Sequence, residues 1–111
     1  MTQNVSLLTL SLVATAAIVA ERFTAVAGVP ATAAGNTLGV AKSSAAIGEV
    51  YPVEVVGTAI VTAGAAIAKG AAIEVGTAGK AITKASGVTV ARALQAATAD
   101  GDRIEVLLIP N

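Results

Sequence analysis

The sequence contains no cysteine and no histidine, and among its 111 residues there are only one tyrosine, one phenylalanine and no tryptophan. The missing cysteine and histidine exclude disulfides, thiol catalysis and histidine-based metal or acid–base sites. Because 55% of the residues are hydrophobic and only 2% are aromatic, the core must consist of small aliphatic side chains. A thin core of this kind favours oligomerisation as a further source of stability.

Charged side chains are also few, with seven basic and seven acidic residues that give a net charge of zero. No basic run occurs, so the sequence gives no support for nucleic-acid binding through phosphate neutralisation. A near-neutral, weakly charged surface is prone to association. The length predicts one domain, and the composition indicates a structural or binding protein rather than an enzyme.

The first twenty residues carry no charge. The run is too short for a typical membrane span and lacks the positive start of a signal peptide. Leu8, Leu10 and Leu12 fall on one face of an extended segment. We therefore predict a first strand or extended arm over residues 1–20. We expect residues 5–13 of it to pair with a neighbouring chain rather than with their own core. The alternative is a secreted β-rich module that is cleaved near Ala16.

β-Branched residues at alternate positions, punctuated by glycine, dominate the rest of the chain. Residues 47–75 show this best, and we interpret them as short strands joined by tight turns. Further strands are predicted over residues 17–26, 38–41, 88–93 and 103–109. The last of these ends in an apolar run, which is typical of a strand covered on both faces. Residues 43–48 are predicted to form a turn or a single helical turn, and residues 75–82 a hairpin.

This pattern predicts an all-β fold, a small barrel or sandwich of short strands with an extended N-terminal arm. Residues 70–75 and 101–106 share the sequence Gly-x-x-Ile-Glu-Val. The shared sequence either records an internal duplication or reflects strands that each begin after a glycine turn.

Three glutamates and one acidic turn are candidates for catalysis or metal binding. Glu54, Glu74 and Glu105 lie in predicted strands, but no nucleophile or polar pocket accompanies them, so we predict outward-facing positions without a catalytic role. The segment 100–102, Asp-Gly-Asp, supplies too few ligands for calcium and is predicted to be a β-turn. We expect no catalytic residue, metal or cofactor.

Lys80 lies at the predicted hairpin tip, where lipoyl and biotinyl carrier domains place their modified lysine. The acidic residues and methionine that precede that lysine in carriers are absent, since Thr77-Ala78-Gly79 stands there. A carrier domain modified on Lys80 is therefore an alternative, and a solvated turn lysine is the preferred interpretation.

Several short motifs follow one another in a fixed order through residues 38–109. They are Leu38-Gly39-Val40-Ala41, Ala46-Ile47-Gly48-Glu49, Val53-Glu54-Val55-Val56-Gly57, Ala63-Gly64-Ala65-Ala66-Ile67-Ala68-Lys69-Gly70, Val90-Ala91-Arg92-Ala93-Leu94 and Ala99-Asp100-Gly101-Asp102. In this order and spacing, the motifs resemble those of the small capsid cement (head decoration) proteins of tailed bacteriophages.

The resemblance implies a β-rich fold, a homotrimer on the outside of the phage head and no catalysis. It implies a minor capsid protein that is made in the host cytoplasm, binds the assembled major capsid protein and stabilises the shell. Residues 21–111 would form the capsid-binding domain, and no nucleic acid or membrane would take part. The candidate contacts with the capsid or a neighbouring subunit are Leu7, Leu8, Leu10, Leu12 and Val13.

Overall fold

The computed structural model describes residues 5–111, and within them it contains eight strands and one short 3-10 turn at Thr77–Gly79. The strands are β1 (Ser6–Val13), β2 (Phe23–Thr24), β3 (Gly39–Ala41), β4 (Val50–Thr62), β5 (Ala72–Val75), β6 (Ala81–Thr83), β7 (Ala91–Ala93) and β8 (Arg103–Leu108). The all-β prediction is confirmed.

The strands form one sheet in the order β2-β3-β4-β8-β7-β5-β6, and β1 also pairs with β4. Every pair of neighbouring strands is antiparallel. Ala63, just after β4, forms a bridge to Ala81 in β6. This bridge brings β6, the last strand of the order, back to the end of β4. The sheet is therefore a nearly closed barrel, as predicted.

β4 runs through Gly57 as one strand of 13 residues, so the expectation of short strands is wrong for this part of the stretch, whereas turns or bends lie at Gly48, Gly64 and Gly70. Gly57 lies inside β4 with φ of +109°, and a Cβ at this position would lie 2.2 Å from the Val5 carbonyl oxygen. The residues before Gly57 pair with β1 and β3, and those after it pair with β8. Gly57 thus marks the change of partner along a continuous strand.

Two other local predictions need correction, while for residues 43–48 the turn is confirmed and the alternative helical turn is not formed. The strand expected over residues 17–26 is reduced to β2, because Glu21 takes a left-handed conformation with φ of 62°. Residues 43–48 contain a turn but no helix, since Ala45 is extended and bridges to Ile18. β8 is not covered on both faces, because Leu107 is exposed. The hairpin within residues 75–82 is confirmed as β5 and β6.

The strand register shows that the fold contains two equivalent units, residues 6–57 (the first unit) and residues 58–108 (the second unit). β1 of the first unit corresponds to the second half of β4 in the second unit, and the first half of β4 corresponds to β8. The two pairs of strands have the same antiparallel arrangement. Leu10 lies opposite Val53 as Ala59 lies opposite Val106. β4 thus ends the first unit and begins the second.

The loops repeat this correspondence. Ile18 bridges to Ala45 as Ile67 bridges to Ala97, and Glu21, with its left-handed backbone, occupies the position of a glycine in the second unit. The sequences Ala14-Thr15-Ala16-Ala17-Ile18 and Ala63-Gly64-Ala65-Ala66-Ile67 also correspond. The duplication is therefore not the one suggested by residues 70–75 and 101–106, because those residues belong to β5 and β8, which hold different places in the unit.

Each unit has its own hydrophobic core. The core of the first unit surrounds Tyr51, whose hydroxyl is 2.7 Å from the Thr24 hydroxyl. The core of the second unit is larger, and it also includes Phe23, Ala31 and Val40 of the first unit. The two units are thus joined by shared packing as well as by β4.

Candidate interaction surface

The three strand glutamates are buried, so the prediction that they face outward is wrong. The exposed fractions of Glu54, Glu74 and Glu105 are 2%, 5% and 2%. Glu54 lies against Lys42, and Glu74 lies against the backbone of residues 85 and 87; alternation along one strand cannot reveal such contacts.

The described partners of two of these carboxylates are structural. Glu74 Oε1 accepts hydrogen bonds from the backbone N–H of Ala85 (2.5 Å) and Gly87 (3.0 Å). These bonds, the Ala85 bond foremost, lower the pKa of Glu74 below its usual range, because they stabilise the charged form. Glu54 Oε1 lies 3.3 Å from Lys42 Nζ. Glu74 therefore fixes the loop after β6, and Glu54 anchors a lysine.

Lys80 closes the hairpin turn between β5 and β6, as predicted, but it does not project freely. Its Nζ lies 3.0 Å from Asp100 Oδ1, and its side chain is 24% exposed. A lysine that carries a prosthetic group has to extend from the tip toward a distant enzyme. The ion pair holds Lys80 against another loop instead, and this gives the carrier alternative no support.

The predicted β-turn at residues 100–102 is confirmed. Asp102 Oδ2 accepts hydrogen bonds from the Thr98 hydroxyl (2.7 Å), the Thr98 N–H and the Ala99 N–H. These bonds, that of the Thr98 hydroxyl foremost, lower the pKa of Asp102. Within residues 5–111, no group of three acidic, histidine or cysteine side chains is placed to hold a metal ion.

β1 forms one part of an exposed apolar surface, because side chains on both faces of this strand are exposed. It pairs through its register with β4 of the same chain, so the expectation that this segment pairs with a neighbouring chain rather than its own is not met. Leu10 and Leu12 lie opposite Val53 and Tyr51 of the first core, while Leu7 is 74% exposed. An exposed, uncharged edge strand is a template for association.

A groove of about 490 Å³ lies beside this strand, at the end of β8. Its lining residues carry no charge, and they are Ala25, Val26, Ala27, Asn36, Thr37, Leu38, Gly39, Val55, Val56, Val90, Leu108, Ile109, Pro110 and Asn111. The polar groups at its rim already bind one another, since Asn111 Oδ1 accepts from the Thr37 N–H at 2.9 Å and from Asn36 Nδ2 at 3.2 Å. What the groove offers to a partner is therefore mainly aliphatic surface.

The groove exists because the first unit lacks a full counterpart of the β5–β6 hairpin, which closes the barrel in the second unit. Thr15 N–H donates to the Gly28 carbonyl as Gly64 N–H donates to the Ala81 carbonyl. The segment that connects the equivalent strands is the short turn of residues 25–27 in the first unit. In the second unit it is the longer segment of residues 74–80. The β5–β6 hairpin therefore has no full counterpart in the first unit, whose core stays open at this end.

β1 and the groove adjoin, because Leu8 of β1 lies opposite Val56 of β4, and Val56 lines the groove. Together they form one uncharged surface, which we call the apolar end. A contiguous exposed apolar surface on a small domain marks an interaction site. Reasoning from the sequence identified the β1 half of this surface and missed the groove, which is assembled from segments far apart in the chain.

Comparison with known proteins agrees with this geometry. A family model described as phage cement protein matches residues 2–108. The chain belongs to the phage cement protein family. The resemblance noted in residues 38–109 is thus confirmed, and the match also includes β1, so the N-terminal segment is part of the family's domain.

A solved structure shares the fold of this cement family member. The N base of the head fiber gp8.5 in bacteriophage phi29 matches with a TM-score of 0.75 and 20% sequence identity, over 92% of this chain and 93% of that chain. No curated protein matches the sequence. Across residues 5–111, no helix has the length and hydrophobicity needed to cross a membrane.

Membership of the cement family makes the protein a capsid-associated structural component of a phage virion. The contacts described above give a structural explanation for Glu54, Glu74, the paired Lys80 and the Asp102 turn. Nothing within residues 5–111 explains the exposure of the apolar end, and it is the candidate site through which the protein acts.

Proposed function

We propose that this protein binds the outside of the assembled phage head as a homotrimer and stabilises the shell by contact with the major capsid protein. The observation that carries the proposal is the apolar end, an uncharged surface of β1 and the groove on a member of the cement family. The proposed contacts with the capsid or with a neighbouring subunit are Leu7, Leu8, Leu10, Leu12 and Val13. Residues 1–20 would supply the contacting segment, and residues 21–111 the body of the capsid-binding domain.

The mechanism is thermodynamic linkage. A ligand that binds the assembled lattice and not the free subunit stabilises the lattice by mass action. Each copy needs only modest affinity, because subunits that are held together bind with a raised effective concentration. The apolar end suits this role, since few charges have to be desolvated when it is covered. The free edge of β1 can also add to a sheet of the partner.

The test uses phage heads that lack the protein. Purified protein should bind such heads and raise their melting temperature in calorimetry. Leu10→Asp should reduce the amount bound, because it places a charge in the contact. Ile47→Asp is the matched control, since Ile47 is an exposed aliphatic residue outside β1 and the groove. Heads that melt at the same temperature with and without bound protein would refute the stabilising role.

A further inference from the structure

The open groove of the first unit has a filled counterpart within the same chain, and this shows what chemistry completes it. In the second unit, the β5–β6 hairpin continues to Val75 and Ala81, whose side chains are both 0% exposed. In the first unit the chain has already turned, and Val26 in that turn is 70% exposed. The second unit therefore closes its barrel with uncharged aliphatic side chains on extended backbone, and the first unit lacks them.

The chain also contains a segment of that chemistry without a partner for its outer side chains. β1 is extended, uncharged and rich in leucine, and Leu7 is 74% exposed. Its register along β4 fixes it beside the groove, yet neither Leu7 nor Leu8 lines the groove of its own chain. Within one chain, an aliphatic strand and an aliphatic groove lie next to each other without filling each other.

We propose that the N-terminal half of β1, around Leu7 and Leu8, docks in the groove of a second copy of this protein. The proposal rests on the homotrimer of the proposed function and assigns its interface. Two different patches on one chain that fit each other make a head-to-tail contact, which closes into a ring when the rotation allows it. Three copies would then each give one strand and receive one, leaving no groove open.

The second unit favours a second copy as the partner, because uncharged aliphatic side chains on extended backbone close the barrel there and β1 offers the same chemistry. Neither β1 nor the residues that line the groove include a charged side chain, so neither surface selects a partner by charge. Both surfaces are present in equal number in any assembly of this chain. Strand and groove therefore match in chemistry and in copy number, and the C-terminal half of β1, with the exposed Leu10 and Val13, would remain for the capsid contact.

Cysteine cross-linking tests the contact, because the natural chain has no cysteine. Leu7→Cys protein is mixed with isotope-labelled Val26→Cys protein and oxidised in the absence of heads. We expect the disulfide between the two proteins to exceed the random proportion. The matched control pairs Leu7→Cys with Ile47→Cys, because Ile47 is 73% exposed and Val26 is 70% exposed. Equal yields with Val26→Cys and Ile47→Cys would overturn the proposal.

Light scattering provides a second measurement on folded protein. Val26→Asp should lose the trimer mass and return to the 10.7 kDa monomer, while Ile47→Asp should keep the wild-type mass. A wild-type protein that is monomeric at all concentrations, or a Leu7→Cys protein that cross-links only to the major capsid protein on heads, would overturn the proposal. A cross-linked trimer that fails to bind heads would refute the proposed function and leave this contact standing.

Discussion

Gly57→Ala should displace β1 from the first half of β4, while the second half of β4 remains paired with β8. A Cβ at residue 57 would lie 2.2 Å from the Val5 carbonyl oxygen, whereas real Cβ contacts stay above 3.0 Å. β1 must therefore move away by about 0.8 Å, the difference between the two distances. Two hydrogen bonds hold this end of β1, from Thr58 N–H to the Val5 carbonyl and from Val5 N–H to Thr58 Oγ1, both of 2.8 Å. We expect both to be lost.

The size of the effect follows from two contributions. A left-handed backbone at alanine costs about 1–2 kcal/mol, and each lost hydrogen bond costs about 0.5–1.5 kcal/mol. Gly57→Ala should therefore lower the free energy of unfolding by about 2–5 kcal/mol. Gly48→Ala is the matched control, because Gly48 has φ of +90° but no atom lies within 4 Å of the added Cβ. The control retains only the backbone contribution, so the two variants should differ by about 1–3 kcal/mol.

Urea unfolding measures this difference. Tyr51 is the sole tyrosine in a chain without tryptophan, and it lies opposite Leu12 of β1, so its fluorescence reports on this region. With a urea dependence of about 1–3 kcal/mol per molar for small proteins, the midpoints of the two variants should differ by roughly 1 M. Equal midpoints would refute the reasoning that the approach of the β1 backbone requires glycine at residue 57.

Three further predictions concern the cores and the loops. Tyr51→Phe should lower the free energy of unfolding by about 1 kcal/mol in urea unfolding followed by circular dichroism, because it removes the buried hydrogen bond to Thr24; an unchanged midpoint would contradict this. Deleting residues 2–13 should leave a folded second unit, whose core includes no β1 residue, but abolish binding to heads; loss of all β signal in circular dichroism would contradict it. The pKa values of Glu74 and Asp102 are lowered in the folded state, so their stabilising effect is present at neutral pH and is lost as the pH falls from about 5 through the lowered values. Thermal melts across that range should show a weaker pH dependence for Glu74→Gln than for the wild type, and parallel curves would contradict the assignment.

The sequence was sufficient to predict the fold class and several elements, because these depend on local pattern. Alternation predicted the strands near residues 39–41 and 103–108, and the glycines predicted the β5–β6 hairpin. The same glycine rule failed at Gly57, where the residue is needed for a close approach between strands and not for a turn. Only the partner strand, distant in the sequence, distinguishes these two uses of glycine.

The site could be predicted only in part, for a similar reason. The lack of charge and the leucine alternation made the N-terminal segment a candidate surface without any tertiary information. The groove depends on a turn at residues 25–27 that is shorter than its counterpart, and the duplication is what reveals the difference. A sequence signal for the duplication was present in Ala14–Ile18 and Ala63–Ile67, but small residues in loops are weak markers.

The central position of β4 also determines how the chain can fold. β1 can pair only after residues 50–57 are available, and the second half of β4 can pair only after β8 is available. Both pairings thus join segments that are far apart in sequence. Such topologies fold slowly, in about milliseconds to seconds. During that interval Ser6–Val13, which is uncharged, rich in leucine and without proline, is free to pair with other chains. Refolding yield should therefore fall as protein concentration rises, and the strand that suits assembly in the virion is also the segment that puts the newly made chain at risk of aggregation.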